Sequence, residues 1–107
     1  MKLTKTERDG LAELSVILHE RFGATEVLLY GSAARGQMDV DSDIDLLVVL
    51  PELNWDMEKE IIGLCFDMEL EYGRVFSAVC FSENDLQETP LKESPLLKHA
   101  RQQGQSL

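Results

Sequence analysis

A chain of 107 residues is one domain's worth of protein, too short to carry both a ligand cleft and a second, substrate-recognising domain. Its 20 acids against 10 bases give a formal net charge of −10 with no basic run, which argues against nucleic acid as a partner, because that binding relies on Lys and Arg at phosphates. With 44% hydrophobic and 28% charged residues, disorder is not expected, and no apolar run is long enough to span a membrane.

The N-terminal segment Met1–Glu7 has no apolar stretch behind it, so no signal peptide is expected. Thr4-Lys5-Thr6-Glu7 fits a capping box, and Leu11, Leu14, Ile17, Leu18 and Phe22 recur at helical spacing. Gly23 follows, which predicts a helix over about residues 4–22. Glu26–Tyr30 reads as a strand stopped by Gly31. Ser32–Gln37 reads as a turn leading into at most a short helix, and Met38–Ser42 as a polar loop. Asp43–Leu50 is a strand with Ile44, Leu46, Val48 and Leu50 on one face and Asp43, Asp45, Leu47 and Val49 on the other.

Pro51 ends that strand, and Asn54 is placed to cap a helix whose apolar face is Met57, Ile61, Leu64, Cys65 and Met68. Gly73 is suited to its C-terminus. Val75–Phe81 is a third strand, and Glu83–Gln87 one helical turn. Ser94-Pro95 starts a last helix that Gly104 ends. The order α-β-(α)-β-α-β-α makes residues 1–107 a single α/β (α+β) domain, a small mixed β-sheet with packed helices. Cys65 and Cys80 lie within apolar patterns and read as reduced, buried thiols in a cytoplasmic protein.

The segment from Gly31 to Asp45 joins the end of one strand to the start of the next, and it carries the chemistry. Gly31 allows a sharp turn and a close backbone approach to a ligand. The amides that follow favour phosphate, and Ser32 adds a hydroxyl donor. Arg35 adds a cation, or pairs with one of the neighbouring carboxylates. Asp43 and Asp45, two apart on a strand, face the same way, and two such carboxylates repel unless a cation lies between them. Mg²⁺ suits such hard oxygen ligands and usually shares its shell with substrate phosphates.

Rival motifs fail on the same residues. Gly31 and Gly36 have P-loop spacing, but Gln37-Met38 replaces the Lys-Ser/Thr pair. Asp39, Asp41 and Asp43 begin like an EF-hand, but Ile44 stands for the required Gly and Leu50 for the Glu.

Gly31-Ser32, ten intervening residues that include Ala34-Arg35-Gly36, then Asp43-x-Asp45-Leu46 resemble the polymerase-β-like nucleotidyltransferase superfamily. The chain looks most like its minimal nucleotidyltransferases, the antitoxin halves of toxin–antitoxin pairs with a HEPN-domain partner. The resemblance implies that Gly31 and Ser32, with Arg35, hold a nucleoside triphosphate such as ATP, while Asp43 and Asp45 ligate Mg²⁺ and serve catalysis. It implies transfer of a nucleoside monophosphate, typically to a tyrosine of the partner toxin. The family also has a third acid on the following strand, whereas Arg74–Phe81 holds none and Ser77 sits near the expected place. Glu69, Glu71 and Glu83 are the acids that could reach in from outside that strand. The same residues therefore also suit a binding module that neutralises a partner by complex formation. A nucleotidyltransferase acting on small molecules fits less well, since no acceptor-binding domain is present.

The remaining residues read as structural. His19 is a surface residue beside a helix C-terminus, and His99 has no ligand at metal spacing. Trp55 reads as an apolar staple or core anchor. Glu69 and Glu71 read as a solvated helix end, and Asp39 and Asp41 as loop carboxylates. Leu96-Leu97 offers a docking point for a partner. Self-association into a homo-oligomer is left open by the sequence.

Overall fold

The structure is a computed structural model that describes residues 3–31, 43–88 and 93–107. Helix α1 (Lys5–Phe22) starts at a reciprocal cap: Thr4 donates its backbone N–H to Glu7 Oε1 at 2.8 Å, and Thr4 Oγ1 accepts from Glu7 N at 3.1 Å. It ends at Gly23, whose φ of 68° is left-handed. Strands β1 (Glu26–Tyr30) and β2 (Ile44–Leu50) follow. Helix α2 (Trp55–Tyr72) is capped by Asn54, whose Oδ1 accepts from Met57 N at 2.9 Å, and it ends at Gly73. Then come β3 (Phe76–Ser82), α3 (Glu83–Glu88), α4 (Pro95–Gln103) and β4 (Gln105–Ser106). Among the described residues no helix is long and apolar enough to cross a membrane.

The strands form one sheet in the order β3-β2-β1-β4. β1 runs antiparallel to β2 and β4, while β2 and β3 are parallel. The alternation read from the sequence decides which side chains face which helices. Val27, Leu29, Ile44, Leu46, Val48, Leu50 and Phe76 pack beneath α1 and α2, against Leu14, Leu18, Ile61 and Met68. The opposite face presents Leu28, Leu47, Val49 and Phe81 to Leu86 of α3 and to Leu97 and Ala100 of α4. β2 is therefore covered on both sides, and every residue in it is buried except Asp45. Each of its fully buried Leu and Ile side chains contributes roughly 1.5–3 kcal/mol from removal of apolar surface from water.

Several expectations require correction. Trp55 is 63% exposed and anchors no core; the Lys59 ammonium lies 5.8 Å from its ring centroid instead. Leu97 is fully buried in the second core, so the Leu96-Leu97 pair is not a free docking point. The chain does not stop at a helix end: Gly104 leads into β4, where Gln105 and Ser106 pair with Leu29 and Leu28. A Cβ at Gly104 would come within 2.3 Å of Ala100 O and 2.7 Å of Leu29 O, so only glycine fits between α4 and β1. Ser94 makes no side-chain cap, although Pro95 does open α4. His19 is tied in more firmly than a surface residue: Nδ1 lies 2.9 Å from Ala24 O and Nε2 3.1 Å from Leu107 O. The short helix within 32–37 and the loop over 38–42 lie outside the described residues.

A near-buried ion pair joins the start of α1 to the turn before β3. Arg74 Nε donates to Glu7 Oε2 at 2.7 Å, with the two side chains 10% and 11% exposed. Burial alone would raise the Glu7 carboxyl, but its bonds from Thr4 and the Arg74 charge prevail and hold it below the ordinary 4.5. Its contribution to stability is therefore fully present above about pH 4.5 and is lost as pH falls through the lower folded value. Arg74→Met, which strands the carboxylate, is expected to cost about 2–3 kcal/mol at neutral pH, somewhat less than for a fully buried pair. In thermal melts the difference from wild type should shrink as pH falls below about 4.5 and through the lower folded value of Glu7. An unchanged gap across that range would mean that Arg74 acts through contacts other than the Glu7 charge.

Candidate active site

β1 delivers its last residue, Tyr30, directly opposite Asp45 of β2, and Asp45 in turn lies opposite Ser77 of β3. Residues in register share a face, so Tyr30, Asp45 and Ser77 form a row across three strands. This is the face that carries Leu47, Val49 and Phe81 further along, where α3 and α4 cover it. Asp43 stands one residue ahead of β2, exposed, and two positions from Asp45.

Gly31 follows Tyr30 with φ +73°. That conformation is strained for any side chain, and a Cβ here would lie 3.0 Å from Asp45 Oδ2. The missing side chain keeps open the space beside the Asp45 carboxylate. Asp45 is half-buried, and burial first, then the charge of Asp43, pushes its carboxyl above the usual range. Burial, then the charge of Asp45, likewise pushes the Tyr30 phenol upward. Among the described residues no ion pair engages Asp43 or Asp45. A half-buried acid with an exposed one two residues away, beside a turn that excludes a Cβ, forms a place where positive charge is favoured.

Of the residues expected at the site, Gly31, Asp43 and Asp45 are brought together, and Ser32 and Arg35 lie outside the described residues. Among the described residues no third acid joins the two aspartates as a metal-sized cluster. The position beside Asp45 on β3 belongs to Ser77. Glu83 accepts from Thr25 Oγ1 near Val49, toward the opposite end of β2. Glu69 lines a groove on the outer side of β3, and Glu71 is exposed near the end of α2. The sequence marks Tyr30 only as a strand end; the signal that could have found it is an aromatic residue immediately before the Gly-Ser turn.

This arrangement agrees with the known proteins that the chain matches. The model of the nucleotidyltransferase domain family matches residues 11–101. The chain belongs to that family. A provisionally named protein adenylyltransferase of Methanocaldococcus jannaschii is 29% identical over 84 residues, covering 78% of this chain and 83% of its own. A second one from the same organism is 40% identical over 58 residues, or 54% of each chain. A solved structure, provisionally named a minimal nucleotidyltransferase, superimposes with a TM-score of 0.62 at 29% identity, over 100% of this chain and 97% of that one. A mutant of the MntA–HpeT toxin–antitoxin pair superimposes with a TM-score of 0.60 at 20% identity, over 94% of this chain and 70% of that one, which speaks to fold alone. The expected minimal nucleotidyltransferase fold is thus the fold observed.

In this nucleotidyltransferase domain, Gly31→Ala should add both backbone strain and a contact with Asp45. It is expected to lower stability by about 1–2 kcal/mol and to weaken whatever MgATP binding the site provides by about ten-fold or more. Gly63→Ala is the control: nothing lies within 4 Å of its would-be Cβ, and stability should hold or rise. Thermal melts and calorimetric titration read both effects. Equal behaviour of the two variants would remove Gly31 from the site.

Proposed function

We propose that this domain transfers a nucleoside monophosphate, AMP from ATP, to a side-chain hydroxyl of another protein, and that it acts as the antitoxin of a toxin–antitoxin pair with a HEPN-type partner. The observation that carries this reading is the placement of Gly31 against Asp45, with Asp43 two residues away. The names of the Methanocaldococcus jannaschii relatives support protein as the acceptor, and the MntA–HpeT neighbour supports the toxin–antitoxin setting.

The residues present fit a Mg²⁺ ion: two hard carboxylates, one of them raised by burial and by its neighbour's charge, border a space that a Cβ would fill. Asp43 and Asp45 would hold it, and when bound it neutralises phosphate charge and organises the triphosphate. Gly31, and Ser32 and Arg35 beyond it, would receive the phosphates. In the transfer, the acceptor oxygen bonds to the α-phosphorus while the bond to the bridging β-phosphate oxygen breaks. Pyrophosphate leaves, and the hydroxyl proton passes to solvent, because Ser77 is no base. The chain's part is chiefly to position and neutralise.

Ser77 beside Asp45 favours a second reading, in which transfer is slow or absent and the domain neutralises its partner by binding alone. Titration of MgATP into wild type and into Asp43→Ala/Asp45→Ala tests the site. Wild type should bind, and the double variant should lose about ten-fold or more in affinity. Labelled AMP should then appear on a co-expressed acceptor protein with wild type only. The proposal is abandoned if folded wild type takes up no MgATP. If nucleotide binds but no label transfers, and the double variant still neutralises its partner, the second reading holds.

A further inference from the structure

Trp55, Ile62, Phe66 and Leu70 of α2 are 63%, 58%, 57% and 71% exposed. At 3.6 residues per turn they share one side of the helix, in a stripe about 22 Å long. The core-facing residues of α2, Ile61, Cys65 and Met68, lie on a different side, so the stripe is not overflow from the core. A single exposed apolar residue needs no explanation, but four in line on one helix do. Next to the stripe runs a groove of about 250 Å³ between Ile62, Phe66 and Glu69 of α2 and Phe76–Ala78 of β3. β3 is the edge of the sheet, so the groove opens outward rather than into the domain.

Charge narrows what can sit there. α2 carries six acids, Asp56, Glu58, Glu60, Asp67, Glu69 and Glu71, against one base, Lys59. By helical geometry Glu58 and Glu69 border the stripe toward β3, and Asp56 and Asp67 border its other side. Lys59 is already engaged by Asp56 at 3.6 Å and by the Trp55 ring. Two copies of this chain stacked stripe to stripe would set acid against acid. A helix with an apolar ridge and basic borders matches both the shape and the charge.

We propose that this face of α2 docks an amphipathic helix of another protein, its apolar ridge on Ile62 and Phe66 and its Lys or Arg side chains against the acidic borders. The docking does not depend on nucleotidyl transfer. It supplies a surface by which a partner can be held beside the sheet end that carries Asp45.

The test uses synthetic helical peptides with a leucine ridge bordered by lysine or, in the comparison, by glutamate. Trp55, the chain's one tryptophan, reports binding by fluorescence. The lysine peptide should give a saturable change that weakens with added salt, and the glutamate peptide none. Ile62→Asp/Phe66→Asp should weaken binding by about ten-fold or more, with helix content and MgATP binding as in wild type. Asp43→Ala/Asp45→Ala should bind the peptide normally, which separates this face from the nucleotide site. The proposal is overturned if the lysine peptide gives no saturable change, if both peptides bind alike, or if Ile62→Asp/Phe66→Asp leaves binding intact. A wild-type dimer in sedimentation that Phe66→Asp disperses would also overturn it, by making the occupant a second copy.

Discussion

Everything at the candidate site follows from one carboxylate placed in a strand that is otherwise wholly buried. β2 is covered by α1 and α2 on one face and by α3 and α4 on the other, and Asp45 interrupts its apolar run. A lone carboxylate there would be costly to ionise unless it lay at an open end of the sheet or met a cation. The fold satisfies the first condition directly. Asp45 lies near the start of β2, before the residues Leu47 and Val49 that pack with α3 and α4, and among the described residues Tyr30 and Ser77 are its register partners in the sheet. Gly31 leaves free the space next to Asp45, so a ligand can meet the second condition.

That placement needs a rigid frame, and most of the chain supplies it. Leu46, Leu47, Val48 and Val49 alternate between two cores, so slipping β2 by one residue would exchange every buried side chain between faces and drive Asp45 toward α2. Glu7 and Arg74 fasten the start of α1 to the segment entering β3, close to the residues that flank Ser77. Arg101, through paired bonds to Glu26 at 3.2 and 2.9 Å, fixes α4 against the first residue of β1. The site sits on strand ends that such contacts hold, rather than on a free loop.

Local signals carry much of this arrangement in the sequence. Thr4-x-x-Glu7, Asn54, Gly23 and Gly73 each act within a few residues, and each forms the cap its type implies. The alternation from Asp43 to Leu50 assigns both faces of β2 and puts the two aspartates on one of them. What escapes depends on distant parts of the chain. β4 is two residues long, has no alternation to read, and exists because Gly104 lets the backbone pass between Ala100 and Leu29. Trp55 is the first residue of α2, next to the cap; Leu53, just ahead of that cap, packs against the core, whereas Trp55 stays outside and Lys59 lies over its ring. Leu97 looks available in the sequence because α4 alone does not reveal that the far face of the sheet needs covering. Tyr30 joins the site through strand register, which no single strand encodes.

Ser77 and the exposed stripe of α2 bear on the same question from two sides. With serine beside Asp45, the chain lacks on β3 the acid that would bind a metal or take a proton from an attacking hydroxyl. Whatever rate the site reaches must then come mainly from holding the two reactants in place, and a partner surface contributes to this chiefly by raising the acceptor's effective concentration. Ile62 and Phe66 flank the same groove that Ser77 lines, so a protein held on α2 would lie next to the end of β3 rather than across the molecule. If transfer is lost altogether, the apolar and acidic face proposed for docking would still serve recognition, because its residues are distinct from Asp43 and Asp45. On the proposed reading, partner binding would persist where catalysis has weakened, and the two functions would be separable by changing different residues.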